Sequence, residues 1–321
     1  MGPLAEPLIV VDKLSKSFRI GLSRKRVDAV RGISFDVRRG DIFGFLGPNG
    51  AGKTTTIKML AGLIAPGSGS AKLFGHAIPS PQAMQRIGFL PENPYVYPFL
   101  TPTEFVEMCG RLSGVHGKAV RDRTRAALDR VGMLYAADRP VRRLSKGMLQ
   151  RTGLAAALVG DPELLILDEP MSGLDPVGRK EVRDLILDER KNGRTIFFST
   201  HILSDVEMLC DRVTILRRGQ VVVSGRLNEL LKHEVKRTDV TLEGADEELE
   251  SFCKSEGFGL RPAGKRLIVE IEGKRQVSQL LSEALGRGAE IVEVAPRHET
   301  LEDLFVREAI EAPARSGVAK G

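Results

Sequence analysis

Cysteine is scarce in this sequence, and long apolar runs are missing from it. The 321 residues include only Cys109, Cys210 and Cys253, which are spaced too far apart for a disulfide framework or a thiolate metal site. No run reaches the roughly 18 apolar residues of a membrane span, and no secretory signal opens the chain. We therefore expect a soluble cytoplasmic protein without a membrane span of its own.

Aromatic residues are also few, at 5% of the chain, and they do not alternate with the basic residues. The net charge is +6, and the segment from Lys16 to Arg39, with eight basic and two acidic residues, accounts for the whole imbalance. Such a segment could meet anionic lipid or nucleic acid, or it could be a solvated edge strand and turn. Because a nucleic-acid surface of this kind needs aromatic stacking platforms, we favour the solvated strand and expect no nucleic-acid partner.

Strand-like and helix-like patterns alternate along residues 7–225. Short strands are predicted within 7–45, and the compact apolar runs at 163–170 and 194–201 are typical of buried parallel strands. The segment 213–225 predicts a closing hairpin. This alternation favours an α/β fold in which helices wrap a parallel sheet, and the helices are expected at 53–64, 102–113, 118–132, 146–159 and 176–192.

The composition changes near Gly225, which predicts a second domain. We expect a first domain over 1–225, a helical linker over 226–237, a small α+β domain over 238–310 and a disordered tail over 311–321. In the small domain, strands are predicted at 238–243, 266–272 and 290–294, and helices at 246–256, 276–286 and 299–308.

A glycine-rich loop between a predicted strand and a predicted helix carries the strongest functional signal. The segment GPNGAGKTT contains a complete G-x-x-x-x-G-K-[ST] pattern in the context that gives it meaning. Its glycines let backbone N–H groups close around phosphate oxygens. Lys53 is expected to reach the β- and γ-phosphates, and the Thr54 hydroxyl to ligate Mg²⁺. The predicted nucleotide-binding residues are Gly47, Pro48, Asn49, Gly50, Ala51, Gly52, Lys53, Thr54 and Thr55.

An acidic pair follows the buried strand pattern LLILDEP. Asp168 can hold Mg²⁺ opposite the phosphate loop, usually through water, and Glu169 can polarise a water for attack on the γ-phosphate. Taken alone, these residues could simply end a strand. Since they accompany an intact phosphate loop, we favour the catalytic interpretation.

Two further residues are open to two interpretations each. Ser145 is a good N-cap for the predicted helix that starts LSKGM, and it could also be half of a phosphate-binding site at the positive end of the helix dipole. His201 ends the strand pattern FFSTH, where it could be structural or could reach a γ-phosphate beside Glu169.

With these residues assembled, the sequence resembles the ATP-binding-cassette ATPases. GPNGAGKTT, LSKGM, LLILDEP, SGLD and STH occur in that family's order and at similar spacing, over about residues 7–225. The resemblance implies a phosphate-loop nucleotide-binding core with an antiparallel β subdomain and a helical subdomain at about 92–160. It also implies that two cassettes meet head to tail around two ATP molecules, so that this chain forms a homodimer.

The resemblance also implies roles for individual residues. Phe18 would stack on adenine, although it could instead be a core residue at a strand end. Ser145 and Gly147 would contact the γ-phosphate of the ATP that the other cassette holds. Asp175 would contact the opposite subunit, His201 would sense the γ-phosphate, and Glu169 would be the general base. The ligands of Mg²⁺ would be Thr54, Asp168 and Glu92.

The family implies partners as well. We expect separate integral-membrane permease subunits, a role in export, and a peripheral position on the inner face of the cell membrane. Tyr95, Tyr97 and Phe99 could anchor a permease helix or could pack inside the helical subdomain. The alternative function is a soluble cassette ATPase that acts on ribosomes or DNA. Those on ribosomes usually carry two cassettes, those on DNA carry long coiled-coil insertions, and this chain has neither.

Three departures from the family pattern stand out. Glu92, in IGFLPENP, lies where a glutamine is usual, and Lys146 and Met148 depart from the usual Leu-Ser-Gly-Gly-Gln signature. A carboxylate cannot donate a hydrogen bond as an amide does, which puts the role of Glu92 in doubt. The smaller domain resembles C-terminal extensions of some drug- or ion-export cassettes, for which a stabilising or regulatory dimer contact is the preferred interpretation.

Overall fold

The chain divides into two units between Leu227 and Asn228. The computed structural model describes residues 6–21, 25–231, 235–272, 274–298 and 300–305. Within these ranges, no helix combines the length and the apolar character that crossing a membrane requires. The tail predicted at 311–321 and the end of the helix predicted at 299–308 lie outside the described residues.

The first unit is built on an antiparallel sheet and a mainly parallel sheet. The antiparallel sheet has the strand order β2-β1-β4-β5, and the second sheet has the order β10-β9-β3-β8-β7-β6. In the second sheet only the β9–β10 pair is antiparallel. The strands are β1 (Pro7–Ile20), β2 (Lys25–Arg38), β3 (Ile42–Leu46), β4 (Ser68–Leu73), β5 (His76–Ala77), β6 (Ile87–Leu90), β7 (Leu164–Asp168), β8 (Thr195–Thr200), β9 (Arg212–Arg217) and β10 (Gln220–Arg226).

The core of this unit lies where the two sheets meet. Every residue of β3, β7 and β8 is buried, as expected for central strands of a parallel sheet that is covered on both faces. From β2, the Phe35 ring packs against Phe43 and Phe45 of β3 and Phe197 of β8, with ring centroids 5.2–5.9 Å apart. This rigid centre fixes the ends of β3, β7 and β8, and the loops that follow them carry the candidate site.

Helices surround the parallel sheet, and α3, α4 and α5 pack against one another in the predicted helical segment. The start of α3 is fixed by a reciprocal pair of hydrogen bonds between Thr101 and Glu104. The helices are α1 (Lys53–Leu60), α2 (Pro81–Met84), α3 (Pro102–Leu112), α4 (Lys118–Arg130), α5 (Lys146–Leu158), α6 (Pro176–Lys191), α7 (Leu203–Leu209) and α8 (Leu227–Leu230).

In its described residues, the second unit has the helices α9, α10 and α11 and a four-stranded antiparallel sheet in the order β12-β13-β11-β14. Its chain order is the βαββαβ arrangement of the ferredoxin-like motif, and its core includes Val240, Leu249 and Leu280. The elements are β11 (Val235–Glu243), α9 (Glu247–Ser255), β12 (Gly259–Ala263), β13 (Arg266–Ile271), α10 (Lys274–Gly286) and β14 (Glu290–His298), followed by α11 (Leu301–Phe305).

One missed strand and two shifted element bounds differ from the sequence-based predictions. Strand β12 was not predicted, and β11 begins at Val235, inside the segment predicted as a linker. Helix α1 ends at Leu60 rather than at residue 64, because Gly62 adopts a left-handed conformation with φ +70° and the helix cannot continue through it.

Candidate nucleotide-binding site

The loop between β3 and α1 forms an open cradle of backbone N–H groups. A Cβ on Gly47 would lie 2.5 Å from the Leu216 carbonyl oxygen, and one on Gly52 would lie 2.5 Å from the Ala29 carbonyl oxygen. Gly52 also has φ +106°, so glycine is required there on both grounds. No side chain caps the start of α1. The N–H groups of this helix end are therefore available to an anion.

Lys53, the first residue of α1, is buried at the mouth of this cradle. Its Nζ donates to the Gly47 carbonyl oxygen at 2.7 Å and lies 3.2 Å from Glu169 Oε1. Both side chains of the Lys53–Glu169 pair are less than a tenth exposed. A buried ammonium needs such partners, and these contacts hold it where phosphate oxygens would enter.

Asp168, at the end of β7, is held by hydroxyl groups from both sides. Its Oδ1 accepts a hydrogen bond from Ser199 Oγ at 2.6 Å and a longer one from Thr54 Oγ1 at 3.4 Å. Burial raises the pKa of Asp168, the hydrogen bonds from Ser199 and Thr54 oppose that rise, and the nearby charges of Glu92 and Glu169 add to it. The site thus gathers three carboxylates beside the phosphate loop.

Glu169 stands in a left-handed backbone conformation, with φ +50°, directly after β7. Its N–H donates to Ser199 Oγ at 3.0 Å, which links it to the hydroxyl that also holds Asp168. Its Oε2 lies 2.9 Å from His201 Nδ1, while its Oε1 faces Lys53. One carboxylate therefore joins the phosphate-loop lysine to the histidine after β8. Strained backbone at such a junction is typical of functional sites.

A cavity of about 610 Å³ brings together Lys53, Glu169 and His201, whereas Gly47 and Asp168 are not part of its lining. Phe18 lies at its rim with 37% of its surface exposed, so it is not a core residue. The size is within the range of small-molecule sites in proteins. Its lining comprises Phe18, Val27, Asp28, Ala29, the loop from Pro48 to Thr55, Glu92, Glu169, Ser172 and His201.

The side chains of Thr54 and Asp168 fit a magnesium ion whose other ligands are phosphate oxygens and water. Thr54 and Asp168 approach each other with oxygen atoms, which are the ligands that Mg²⁺ prefers. Among the described residues, no three His, Cys, Asp or Glu side chains are close enough to hold a metal by themselves. Such a donor set suits an ion that completes its shell with phosphate oxygens and water.

The start of α5 does not line this cavity. Ser145 is exposed, and its side chain caps α5 by accepting a hydrogen bond from the Met148 N–H at 3.3 Å. A Cβ on Gly147 would make ordinary contact with Leu174, and the Lys146 side chain lies directly over Gly173. Ser145, Gly147 and the 173–174 turn therefore lie close together, and none of them lines the cavity at the chain's own phosphate loop.

Asp175 also lies outside the cavity. Its side chain caps α6 by accepting a hydrogen bond from the Gly178 N–H at 2.9 Å. The sequence had not pointed to Gln150, which is buried in α5 and donates from Nε2 to the Pro170 carbonyl oxygen at 3.0 Å. This bond ties the start of α5 to the loop that follows Glu169.

Ser199 is the other residue that sequence reasoning missed. A signal for it was present, because a hydroxyl inside a fully buried strand requires a polar partner. Its two hydrogen bonds, to Asp168 and to the Glu169 N–H, set the positions of both acidic residues.

Fold and site together define a phosphate-loop ATPase, and comparison with known proteins gives the family. The family model described as ABC transporter matches residues 30–172. The uncharacterised ABC transporter ATP-binding protein sll0415 of Synechocystis sp. is 45% identical over 249 residues, which cover 77% of this chain and 70% of that protein. The bacitracin transport ATP-binding protein BcrA of Bacillus licheniformis is 36% identical, over 89% of this chain and 92% of that protein.

Among solved structures, the ATP-binding cassette MJ0796, described as a dimeric post-hydrolysis state bound to ADP and Pi, has a similar fold. Its TM-score is 0.63 at 22% identity, and the match covers 68% of this chain and 98% of that chain. The chain belongs to the ABC transporter family, as an ATP-binding subunit with ATP hydrolase activity.

Proposed function

We propose that this chain hydrolyses ATP as a homodimer and drives a separate membrane permease, in export. The observation that carries the catalytic part is the Glu169 carboxylate. It lies between Lys53 Nζ and His201 Nδ1 in the cavity that the phosphate loop opens into. No other arrangement of the described residues combines a phosphate cradle with a base at hydrogen-bonding distance from a histidine.

The bound nucleotide would use groups that are already in place. The phosphates would lie on the loop from Gly47 to Gly52, with Lys53 and the open N-terminus of α1 as cationic partners. Phe18 would stack on the adenine at the cavity rim. Glu169 would accept the proton of the attacking water, and His201 would orient that carboxylate and meet the γ-phosphate.

Mg²⁺ would be held by Thr54 and Asp168, with Glu92 contributing through water. When bound, it would neutralise charge on the β- and γ-phosphate oxygens. Ser199 supports this role, because its hydroxyl fixes the Asp168 oxygen that faces Thr54.

The position of Ser145 and Gly147 supports the homodimer. They lie at the N-terminus of α5, on a surface separate from the chain's own cavity. A phosphate at that helix end must then come from a second cassette. A head-to-tail pair would supply two such sites, each with one chain's phosphate loop and the other chain's Ser145. Asp175, on the same surface as Ser145, would lie at the subunit contact.

An apolar groove supports a permease partner. A cavity of about 370 Å³ lies between β6, α3 and α5, and its lining includes Phe89, Phe105 and Leu112. Tyr95, Tyr97 and Phe99 beside it are 90%, 61% and 79% exposed, so they do not pack inside the helical subdomain. Exposed aromatics of this kind mark an interaction site. Because the permease spans the membrane, this chain would be cytoplasmic and peripheral to it.

A role in export is supported by a relative named for it, the Nod factor export ATP-binding protein I of Ralstonia nicotianae, which is 36% identical over 75% of this chain and 74% of that protein. The transported substrate would be selected by the permease, since the permease and not the ATP-binding subunit would form the path across the membrane. The alternative of a soluble cassette that acts on ribosomes or DNA is not favoured by any feature of the chain.

The catalytic proposal is tested with Glu169→Gln. The amide keeps the size of the side chain but cannot accept the proton of the attacking water, so we expect hydrolysis to fall by about 10²-fold or more. ATP binding should persist, and ATP should trap a dimer that size-exclusion chromatography detects.

The matched control is Glu163→Gln, at the opposite end of β7. It should hydrolyse ATP at nearly the parental rate. If Glu169→Gln hydrolyses ATP as fast as this control, Glu169 is not the general base.

A further inference from the structure

An ion pair between α6 and α7 lies outside the residues that line the nucleotide cavity. Arg183 Nη1 donates to Asp205 Oδ1 at 3.1 Å. The Asp205 side chain is only 1% exposed, and that of Arg183 is 25% exposed. Asp205 Oδ2 has no hydrogen-bond partner among the described residues. Arg183 is therefore the side chain that compensates this buried carboxylate.

The pair connects two elements that begin at proposed site residues. Helix α7 starts at Leu203, two residues after His201, and Asp205 lies in its first turn. Helix α6 starts at Pro176, directly after its N-cap Asp175, and Arg183 lies about two turns further on. The ion pair thus joins the helix that follows the histidine to the helix that follows the proposed subunit contact.

His201 lies between Thr200, the last residue of β8, and Leu203, the first residue of α7, so its placement depends on both elements. Its imidazole is about half exposed, and the side-chain contact that holds it is the one from Nδ1 to Glu169 Oε2. Val206 packs α7 closely onto β3, because Gly44 has no Cβ, and one built there would lie 3.2 Å from Val206 Cγ1. This apolar contact sets the distance of α7 from the sheet. The Arg183–Asp205 pair adds a directional contact that sets its register against α6.

A structural explanation alone does not account for this choice of residues. Replacing a buried ion pair by well-packed apolar residues is often neutral or stabilising, so such a pair is a poor source of stability. What it provides is a fixed geometry, since both hydrogen-bond distance and direction are constrained. That geometry is of use where a neighbouring side chain must be placed accurately.

We propose that Arg183 and Asp205 are positioning residues for ATP hydrolysis, which hold α7 in the register that places His201 against Glu169. This inference rests on the proposed role of His201. Neither residue of the pair touches the nucleotide cavity, so their effect would be on the chemical step and not on ATP affinity.

The test begins with Arg183→Met and Asp205→Asn, assayed as purified full-length protein. A displacement of about 1 Å at a reacting group can reduce a rate by up to about 10²-fold. We therefore expect kcat to fall by about 10-fold to 10²-fold, with KM for ATP and the Kd of a fluorescent ATP analogue changed by less than about 2-fold. Arg183→Lys keeps a cation at this position and should recover much of the lost kcat.

A double-mutant cycle with His201→Ala separates positioning from general weakening. If the pair acts through His201, Arg183→Met should cause no further loss of kcat in the His201→Ala background. Equal losses in both backgrounds would contradict the proposal. A His201→Ala variant that keeps the parental kcat would overturn the proposed role of His201 itself, which is a different result.

Arg130→Met is the matched control for loss of stability. Arg130 Nη2 lies 2.8 Å from Glu189 Oε1, a carboxylate that is also 1% exposed and that also pairs with Arg194 Nε, and this contact joins α4 to α6. We expect Arg130→Met to lower Tm, by less than Arg183→Met because Arg194 still pairs with Glu189, and to keep kcat within about 2-fold of the parent. Should both variants lose kcat in proportion to their Tm, the pair is structural and the proposal is wrong.

Discussion

The Glu169 carboxylate contacts both Lys53, through Oε1, and His201, through Oε2. The buried Lys53 side chain lies 3.2 Å from Glu169 Oε1. A γ-phosphate that enters the cradle brings stronger negative charge to Lys53. We therefore expect the nucleotide to take over Lys53 and release one Glu169 oxygen, which becomes free to meet the attacking water.

Ser199 is the residue on which both acidic side chains depend. In Ser199→Ala, Asp168 loses its shortest hydrogen bond and the Glu169 N–H loses its acceptor inside a buried strand end. Unsatisfied buried groups cost about 1–3 kcal/mol each. We expect urea denaturation to show a free energy of unfolding that is lower by about 1–3 kcal/mol. The Mg²⁺ concentration for half-maximal ATP hydrolysis should rise.

The effect of Ser199→Ala on stability should depend on pH. Burial raises the pKa of Asp168 and the Ser199 hydrogen bond lowers it, so the variant should raise that pKa further. A carboxyl group with a raised pKa in the folded protein destabilises it once pH exceeds the ordinary value. The difference in the free energy of unfolding between parent and variant, measured without Mg²⁺, should be larger at pH 7 than below pH 3.8, the unperturbed pKa of Asp. An unchanged gap would show that Ser199 does not support the Asp168 carboxylate.

At the scale of elements, the sequence indicates central strands well and edge strands poorly. The runs in β7 and β8 are recognisable because both faces of these strands are buried. The segment GLRPA contains glycine and proline, which are depleted in strands, yet it forms β12. Strand β12 lies at the edge of its sheet and pairs with β13 only. Proline is tolerated there because Pro262 has no N–H group and an edge strand needs no hydrogen bond on its outer side.

The candidate site was predictable in its residues and not in its contacts. Motif spacing indicated Lys53, Asp168, Glu169 and His201, because each follows a strand of one parallel sheet. The pairing of Lys53 with Glu169 was not predictable, since it depends on the angle between neighbouring loops. Ser199 was hidden for a similar reason, because its partners come from β7, a different strand.

The segment from Tyr95 to Phe99 permits a test of the permease partner. Tyr97→Ser combined with Phe99→Ser removes two exposed aromatics, so the fold and the hydrolysis rate of the isolated chain should be unchanged. Binding to membranes that contain the permease should fall by at least about 10-fold, since interface aromatics typically contribute more than about 1 kcal/mol each. Co-sedimentation with those membranes measures it.

Tyr135→Ser is the control for that experiment. Tyr135 is 70% exposed and lies in the turn Leu134–Ala136, outside the segment from Tyr95 to Phe99. This variant should bind membranes like the parent. Equal binding by the double variant would place the permease contact elsewhere on the surface.

In the whole molecule, the sequence contains one phosphate loop and one LSKGM segment, which bears on how many chains a complete site needs. The phosphate loop and the Ser145 surface are both present, but Ser145 and Gly147 do not line the cavity that holds the loop. Each chain would then offer half of two different sites, and a symmetric pair would complete both.

Mixing two inactive variants tests this arrangement. Lys53→Ala should lose ATP binding and keep an intact Ser145 surface, while Ser145→Arg should bind ATP as a monomer and block its partner's phosphate. Neither should hydrolyse ATP alone. Half of randomly mixed dimers contain one chain of each kind and one intact site of two, so an equimolar mixture should recover up to about a quarter of the parental rate.

The same mixture distinguishes a site shared between two chains from a site completed within one chain. If Ser145 served its own chain's phosphate loop, both sites of every mixed dimer would carry a defect, and the mixture would stay inactive. Lys146→Gly is the control for substitutions at this surface. Its side chain lies over Gly173, while Ser145 and Gly147 remain, so it should fold normally and change ATP-driven dimerisation only modestly. A mixture that regains no hydrolysis, while Lys146→Gly remains active, would contradict the shared site.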